Sequence, residues 1–193
     1  MKKGIIALII LAIIAFVGVR SYNSMVEKRN ATEKQWANVE SSYQRRADLI
    51  PNLVNTVKGY AEHEKETLEG VINARAKATA TTIDPSNITP DQITKFQEAQ
   101  QGLSGALSRL LVTVEKYPDL KANQNFLELQ SQLEGTENRI NVERNRYNEV
   151  ATTYKDLIQK FPNNLFAAAF NFTPSALFKA FEGSDRAPEV KFD

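Results

Sequence analysis

Hydrophobic positions along the chain fall into four patterns. Gly4 to Val19 (GIIALIILAIIAFVGV) is apolar throughout. Beyond it the apolar and small residues become periodic. Trp36, Val39, Tyr43, Ala47, Ile50, Leu53, Val57, Tyr60, Val71, Ala74 and Ala78 recur at helical steps, the stripe of one amphipathic helix over about residues 21–80. Ile93, Phe96, Gln100, Leu103, Leu107, Leu110, Val114 and Tyr117 keep heptad spacing through a second helix of about 90–117. Phe126, Leu129, Leu133, Thr136, Ile140, Glu143, Tyr147, Val150, Tyr154, Leu157 and Phe161 carry the same register through a third, about 120–161.

Turn chemistry separates these runs. Residues 79–89 (TATTIDPSNIT) form a polar loop. Thr89-Pro90-Asp91-Gln92 then supplies an N-cap, a proline at the first helical position and the glutamine of a capping box. Pro118 stops the second helix, and Pro162-Asn163-Asn164 ends the third. After that, Asn163 to Phe178 carries no charge, and Thr173-Pro174 reads as another helix start. The pattern predicts an all-α fold in three parts. An N-terminal transmembrane helix (1–20) continues into an elongated antiparallel bundle of three long helices (21–162). A Phe-rich tail with a short helix and an extended end follows (163–193).

Pro51 sits inside the first run, where it removes a backbone donor and clashes with the Ala47 carbonyl, at a cost of about 3 kcal/mol. The stripe keeps its phase on both sides, so a kink near 47–51 is expected instead of a break. Polar residues on the stripes (Glu64, Gln100, Thr136, Glu143) need partners or solvent. Helix lengths do not match either. A second helix folding back from residue 84 reaches only about Leu53 on the first, while the third overshoots. Tyr22, Met25, Val26, Trp36, Val39 and Tyr43 are thereby left without a partner from the second helix. With Phe166, Phe170, Phe172, Phe178 and Phe181 of the tail they become candidates for self-assembly, although for the tail segment packing on the bundle is the first reading and a membrane surface the last. This division expects Trp36→Ala to weaken assembly more than folding, and Leu107→Ala to destabilise the fold by about 2–5 kcal/mol.

The apolar segment spans roughly 24 Å as a helix, a little short of a hydrocarbon core of ~30 Å. A cleaved signal peptide is the rival reading, but the exit Phe16-Val17-Gly18-Val19-Arg20 lacks small residues at the peptidase positions. An uncleaved single-pass anchor in a bacterial inner membrane is expected, with lipid contact through residues 4–19. Lys2 and Lys3 favour an N-terminus inside and a domain outside, whereas Arg20, Lys28, Arg29 and Lys34 favour the reverse. Charges leading a long domain count less than those on a short tail, so the N-terminus is expected inside and the domain outside.

Charge narrows the function. Lys+Arg is 24 against 23 Asp+Glu, and setting aside Lys2, Lys3 and Arg20 beside the anchor leaves a slight acidic excess. No basic face for nucleic acid emerges. Cysteine is absent, which removes disulfides, thiol nucleophiles and thiolate metal sites. His63-Glu64 opens like a zincin helix but lacks its second histidine, and His63 is the chain's single His. Ser104, near Gly102 and Gly105, has no base beside it. No catalytic, metal or cofactor residue is expected. Arg45, Arg46 and Asp48, beside Pro51 and Asn52, suggest ion pairing with the abundant glutamates or, as the alternative, an anionic partner or lipid.

Arg45-Arg46-Ala47-Asp48-Leu49-Ile50-Pro51-Asn52-Leu53-Val54, followed by Val57-Lys58-Gly59-Tyr60-Ala61 and His63-Glu64, resembles the hallmark stretch of the bacterial LemA family. Tyr117-Pro118-Asp119-Leu120-Lys121-Ala122, Phe126, Leu129-Gln130, Leu133-Glu134-Gly135-Thr136-Glu137, Arg146-Tyr147-Asn148 and Phe161-Pro162 are similar to its second block. The resemblance runs from about Tyr22 to Phe172. It implies a membrane helix, an elongated bundle and no catalytic residues, often with the N-terminus outside. Asn171-Phe172 departs from the Gly-Phe frequent in relatives. The expected function is a non-enzymatic, membrane-anchored scaffold that forms homo-oligomers and organises membrane or envelope components. The alternative is an adaptor or regulator that binds another membrane protein, such as a protease or transporter.

Overall fold

A computed structural model describes residues 2–179. Every regular element among them is helical: α1 (Lys2–Lys58), α2 (Lys65–Ala80), α3 (Pro90–Val114), α4 (Pro118–Lys121), α5 (Gln124–Gln159) and α6 (Asn163–Ala169). The all-α class, the apolar N-terminal helix leading into a bundle and the short C-terminal helix agree with the pattern of the sequence.

α1 is one helix of 57 residues with Pro51 inside it, about 86 Å long at ~1.5 Å per residue. The expected helix of residues 21–80, however, is two. Gly59 to Glu64 form a tight turn, closed by Tyr60 and Ala61 N–H groups that both donate to the Val57 carbonyl (3.0 and 2.9 Å). The turn lets α2 fold back along α1, so that Leu68 and Val71 are buried in one cluster with Leu53 and Val57. A continuing straight helix would have left both in water. Burying each contributes about 1.5–3 kcal/mol before entropy, enough to override the helical phase of Tyr60. His63 therefore lies in an exposed turn, not on a helix face.

The other boundaries follow their local chemistry. α3 begins with the expected capping box: Thr89 Oγ1 accepts from Gln92 N (3.4 Å), and Gln92 Oε1 accepts from Thr89 N (2.8 Å). Asn123 caps α5 by accepting from Phe126 N at 3.0 Å. α6 ends on Asn171 at φ 57°, and the Phe172 N–H donates back to Ala167 O at 2.9 Å. This left-handed helix end usually takes glycine, and asparagine is its usual substitute. Thr173-Pro174 does not start a helix. Residues 172–179 carry no regular secondary structure, and Ala176 N–H donates to Ile88 O at 2.9 Å.

The core is stacked in three tiers along α1. In the tier farthest from the apolar segment, α1, α2, α3 and the start of α5 bury Ile50, Leu53, Val57, Leu103, Leu110 and Phe126. The middle tier holds Trp36, Val39, Tyr43, Phe96, Ile140 and Tyr147, with Phe178 from the tail. In the tier nearest the apolar segment, Met25 meets Tyr154, Ile158, Ala167 and Phe172. α5 does overshoot, running antiparallel to α1 as far as Met25.

This arrangement corrects the self-assembly surface. Met25, Trp36 and Val39 are fully buried and Tyr43 nearly so, all inside their own chain. α5 and the tail cover most of this face, and α3 reaches it as well: the Phe96 ring meets Trp36 and Tyr43 edge-on, with centroids 5.5 and 5.0 Å apart, where no partner from the second helix was expected. Phe172 and Phe178 are buried as well, Val26 and Phe166 are partly buried, and Tyr22 and Phe170 stay exposed. Phe181 and the extended end lie outside the described residues. The expected ranking of substitutions reverses, because Trp36 is fully buried and Leu107 only partly. Trp36→Ala should cost about 3–5 kcal/mol of folding stability and exceed Leu107→Ala. Urea unfolding followed by circular dichroism measures both, and equal costs would contradict the tiered core.

Candidate functional site

Pro51 leaves the Ala47 carbonyl without its helical donor. α2 supplies the substitute: Arg75 Nε–H donates to Ala47 O at 2.7 Å. One residue away, Arg46 enters the core with only 2% of its surface exposed. Its Nη1 donates to Glu137 Oε2 (2.7 Å) on α5 and Ser104 Oγ (3.0 Å) on α3, while Nη2 donates to Gln100 Oε1 (2.7 Å) and O (3.4 Å). Gln100 passes the connection on, its Nε2 donating to Ala78 O of α2 at 3.2 Å. The Tyr43 ring lies under the guanidinium, 5.2 Å from Cζ. Arg46 thus ties α1, α3 and α5 directly and α2 through Gln100. Only a planar fork with several donors fills such a position; lysine, a point charge, does not.

The other polar stripe residues are also partnered. Glu143 accepts from Gln35 Nε2 (2.7 Å) and Arg146 Nη1 (3.1 Å), Glu64 accepts from the Tyr117 hydroxyl (3.0 Å), and Thr136 donates to Gln132 O (2.7 Å). Arg45 and Asp48 point out from the same turn of α1, and Asp48 accepts from Gln44 Nε2 at 2.7 Å. With Arg139 and Glu143 of α5 they line an open groove of about 650 Å³. Asn52 is exposed, its carbonyl taken by Thr56. Arg45-Arg46 therefore divide their work: one forms the hub and the other faces solvent. Among the described residues no group of acidic or histidine side chains is placed to hold a metal ion.

A second constellation straps the tail onto the bundle. Trp36 and Phe178 stack with centroids 5.6 Å apart and planes 14° from parallel. Tyr147 Oη donates to Ala176 O (2.8 Å), and the Asn148 amide grips the Phe178 backbone on both sides, each bond 2.9 Å. Sequence reasoning placed Tyr147 in a stripe but missed Asn148 and Arg75. The Pro51 defect itself carried the signal for Arg75, since its orphaned carbonyl requires a donor from outside α1. Burial pushes the Tyr147 phenol far above its ordinary value of 10.0, and burial also raises Tyr43 and Tyr154.

Comparison with known proteins adds the following. A family model described as "LemA family" matches residues 35–192. The "Protein LemA" of Metamycoplasma hominis is 26% identical over 174 residues, covering 89% of this chain and 75% of that protein. "Magnetosome protein MamQ 2" of Paramagnetospirillum magneticum is 26% identical over 189 residues, 88% of this chain and 70% of its own. "Magnetosome protein MamQ" of Magnetospirillum gryphiswaldense is 25% identical over 186 residues, covering 86% and 68%.

Two outcomes follow from this geometry. Arg75→Ala should cost about 1–3 kcal/mol, because the buried Ala47 carbonyl loses its donor. In a Pro51→Ala background the helix provides that donor itself, so the same substitution should cost measurably less. A double-mutant cycle by urea unfolding reads the coupling, and additive costs would disprove it. Tyrosine titration gives the second outcome. The unfolded chain loses phenolic protons from about pH 10, while the buried phenols hold theirs. Stability is therefore fully present below pH 10 and falls as pH rises above it. Tyr147→Phe should flatten that alkaline decline in denaturation curves taken from pH 8 to 11.5, and an unchanged slope would exclude Tyr147 as its source.

Proposed function

We propose a function that proceeds from the chain's family: it belongs to the LemA family, and its fold supports a non-enzymatic, membrane-anchored helical scaffold. The observation that carries this reading is the continuity of α1. Its apolar segment, long and apolar enough to cross a membrane, and the bundle's central helix are one element without a hinge residue pair or loop. Such a rod holds the bundle at a fixed distance and orientation from the bilayer of a bacterial cell membrane. On this reading the N-terminus lies inside and the bundle outside, which Lys2 and Lys3 support because charges leading a long domain, such as Arg20, Lys28, Arg29 and Lys34, count less than charges on a short tail.

On this reading the scaffold organises membrane or envelope components, and copies of the chain associate with one another. Burial of the inner stripe moves those contacts to outward faces, such as the groove beside Arg45 and Asp48. That groove is also what favours the second reading, an adaptor or regulator docking another membrane protein through mixed charges.

Full-length protein in lipid nanodiscs distinguishes the two by native mass spectrometry. A uniform particle of several copies is the expected outcome for the scaffold. A single copy bound to one other membrane protein in equal amount identifies the adaptor. Arg45→Glu, a charge reversal on an exposed side chain, should reduce whichever association is observed without changing the unfolding midpoint.

A further inference from the structure

The tail does more than cover the bundle. α6 packs at the junction between the apolar segment and the first tier, with the Phe166 ring against Gly18 so closely that a Cβ there would meet Phe166 Cε1 at 3.1 Å. Phe170 lies edge-on to Tyr22 with centroids 5.1 Å apart. Together they shape a groove of about 460 Å³ whose walls are Ile14, Ala15, Gly18 and Val19 on one side and Phe166 and Phe170 on the other. On its outer side the same stretch leaves three large apolar residues in the open: Phe161 at 79%, Leu165 at 61% and Phe170 at 54% exposure. No charge occurs from Phe161 to Phe178, and Lys160 and Lys179 stand just outside those limits.

We propose that residues 161–170 form a second membrane contact, seated in the interfacial layer beside the anchor with Phe161, Leu165 and Phe170 among lipid chains. This rests on the membrane-anchored reading of α1 and extends it. The surface is continuous with the apolar segment, which itself forms one wall of the groove, so whatever surrounds Ile14 and Val19 also meets Phe170. The length of the anchor points the same way. Sixteen apolar residues span roughly 24 Å, short of the ~30 Å core. An apolar collar reaching Tyr22 adds three residues of height, about 4.5 Å. Arg20 then lies inside the collar's level and extends its side chain toward the headgroups. A short uncharged helix with Phe and Leu outward, flanked by lysines, has the composition of an interfacial element.

The chain has no cysteine, so single cysteines carrying an environment-sensitive NBD label report position directly. Full-length Leu165→Cys and Phe170→Cys variants are reconstituted into phosphatidylcholine vesicles with and without doxyl-labelled phospholipid. Leu11→Cys marks the anchor, and Val112→Cys, exposed on α3, marks the bundle. The expected result is about twofold quenching at Leu165 and Phe170 by lipid labelled near the headgroup, and none at Val112. Quenching at Leu11 alone overturns the second contact while leaving the anchor standing. Blue-shifted but unquenched emission at Leu165 and Phe170 means that protein covers the patch, and it also overturns the proposal. No quenching at Leu11 would remove the anchor reading and this one with it. Leu165 is largely exposed, so its replacement leaves the fold intact even if Phe170→Cys loosens the contact with Tyr22.

Discussion

A helix of 57 residues presents an apolar stripe that no single neighbour is long enough to cover, and the rest of the structure answers that constraint. Where α2 and α3 are available, the stripe sits in a four-helix layer. Where they end, α5 continues alone, and a two-helix pair leaves one side open. The tail closes that side with Phe172 beside Met25, and Phe178 joins Phe96 of α3 in covering Trp36, so that both become fully buried. Each tier uses a different set of elements to meet the same requirement, that large apolar side chains on α1 not remain in water. The chain therefore returns to its own starting end, and α6 comes to rest against Gly18.

Arg46 sets the level at which these elements are registered. A buried guanidinium is costly to desolvate and is tolerated only when its donors are met. Here four of its N–H directions find acceptors on α3 and α5, while Nε–H finds none among the described residues. A slip of either helix by one turn would unpair them. The aliphatic tier on its far side would tolerate such a slip far better, because Leu, Ile and Val are nearly interchangeable along a stripe. The hub thus contributes register more than stability, and the Arg75 bond to Ala47 does the same for α2. Pro51, which at first reads as a flaw in α1, creates the acceptor that fixes α2 in place.

Much of this was legible in the residues. α3 is announced by its capping box and heptads, the end of α5 by Pro162, and the passage of α1 through Pro51 by an unbroken phase. The turn at Gly59 to Glu64 was not legible, because Tyr60 kept the stripe in step and one glycine costs only about 1 kcal/mol in a helix. The reward for breaking there lies in contacts of Leu68 and Val71 with residues before the turn, which periodicity within one helix does not reveal. Packing of the tail on the bundle was among the expected outcomes, but its partner on α1 was not legible, for a related reason. Unpartnered stripe and Phe-rich tail were both recognised as surfaces seeking cover, but a list of apolar positions does not say that the two cover each other. What decides it is geometry: Trp36 and Phe178 are far apart in sequence and stack only once α5 has carried the chain back.

That intramolecular solution changes the physics open to association. With the inner stripe consumed, the bundle's outward surface is mostly polar, and exposed ion pairs contribute only about 0–1 kcal/mol each and weaken with salt. Contacts of that kind alone would hold copies together only weakly in dilute solution. An anchor alters the arithmetic by confining the molecules to a plane and aligning them, which raises the effective concentration without adding a contact. The rigidity of α1 matters here, since a flexible stalk would surrender the shared orientation that confinement provides. On the anchored reading proposed above, a polar face too weak to assemble in solution would therefore suffice at the membrane, where every copy would present the same groove at the same height.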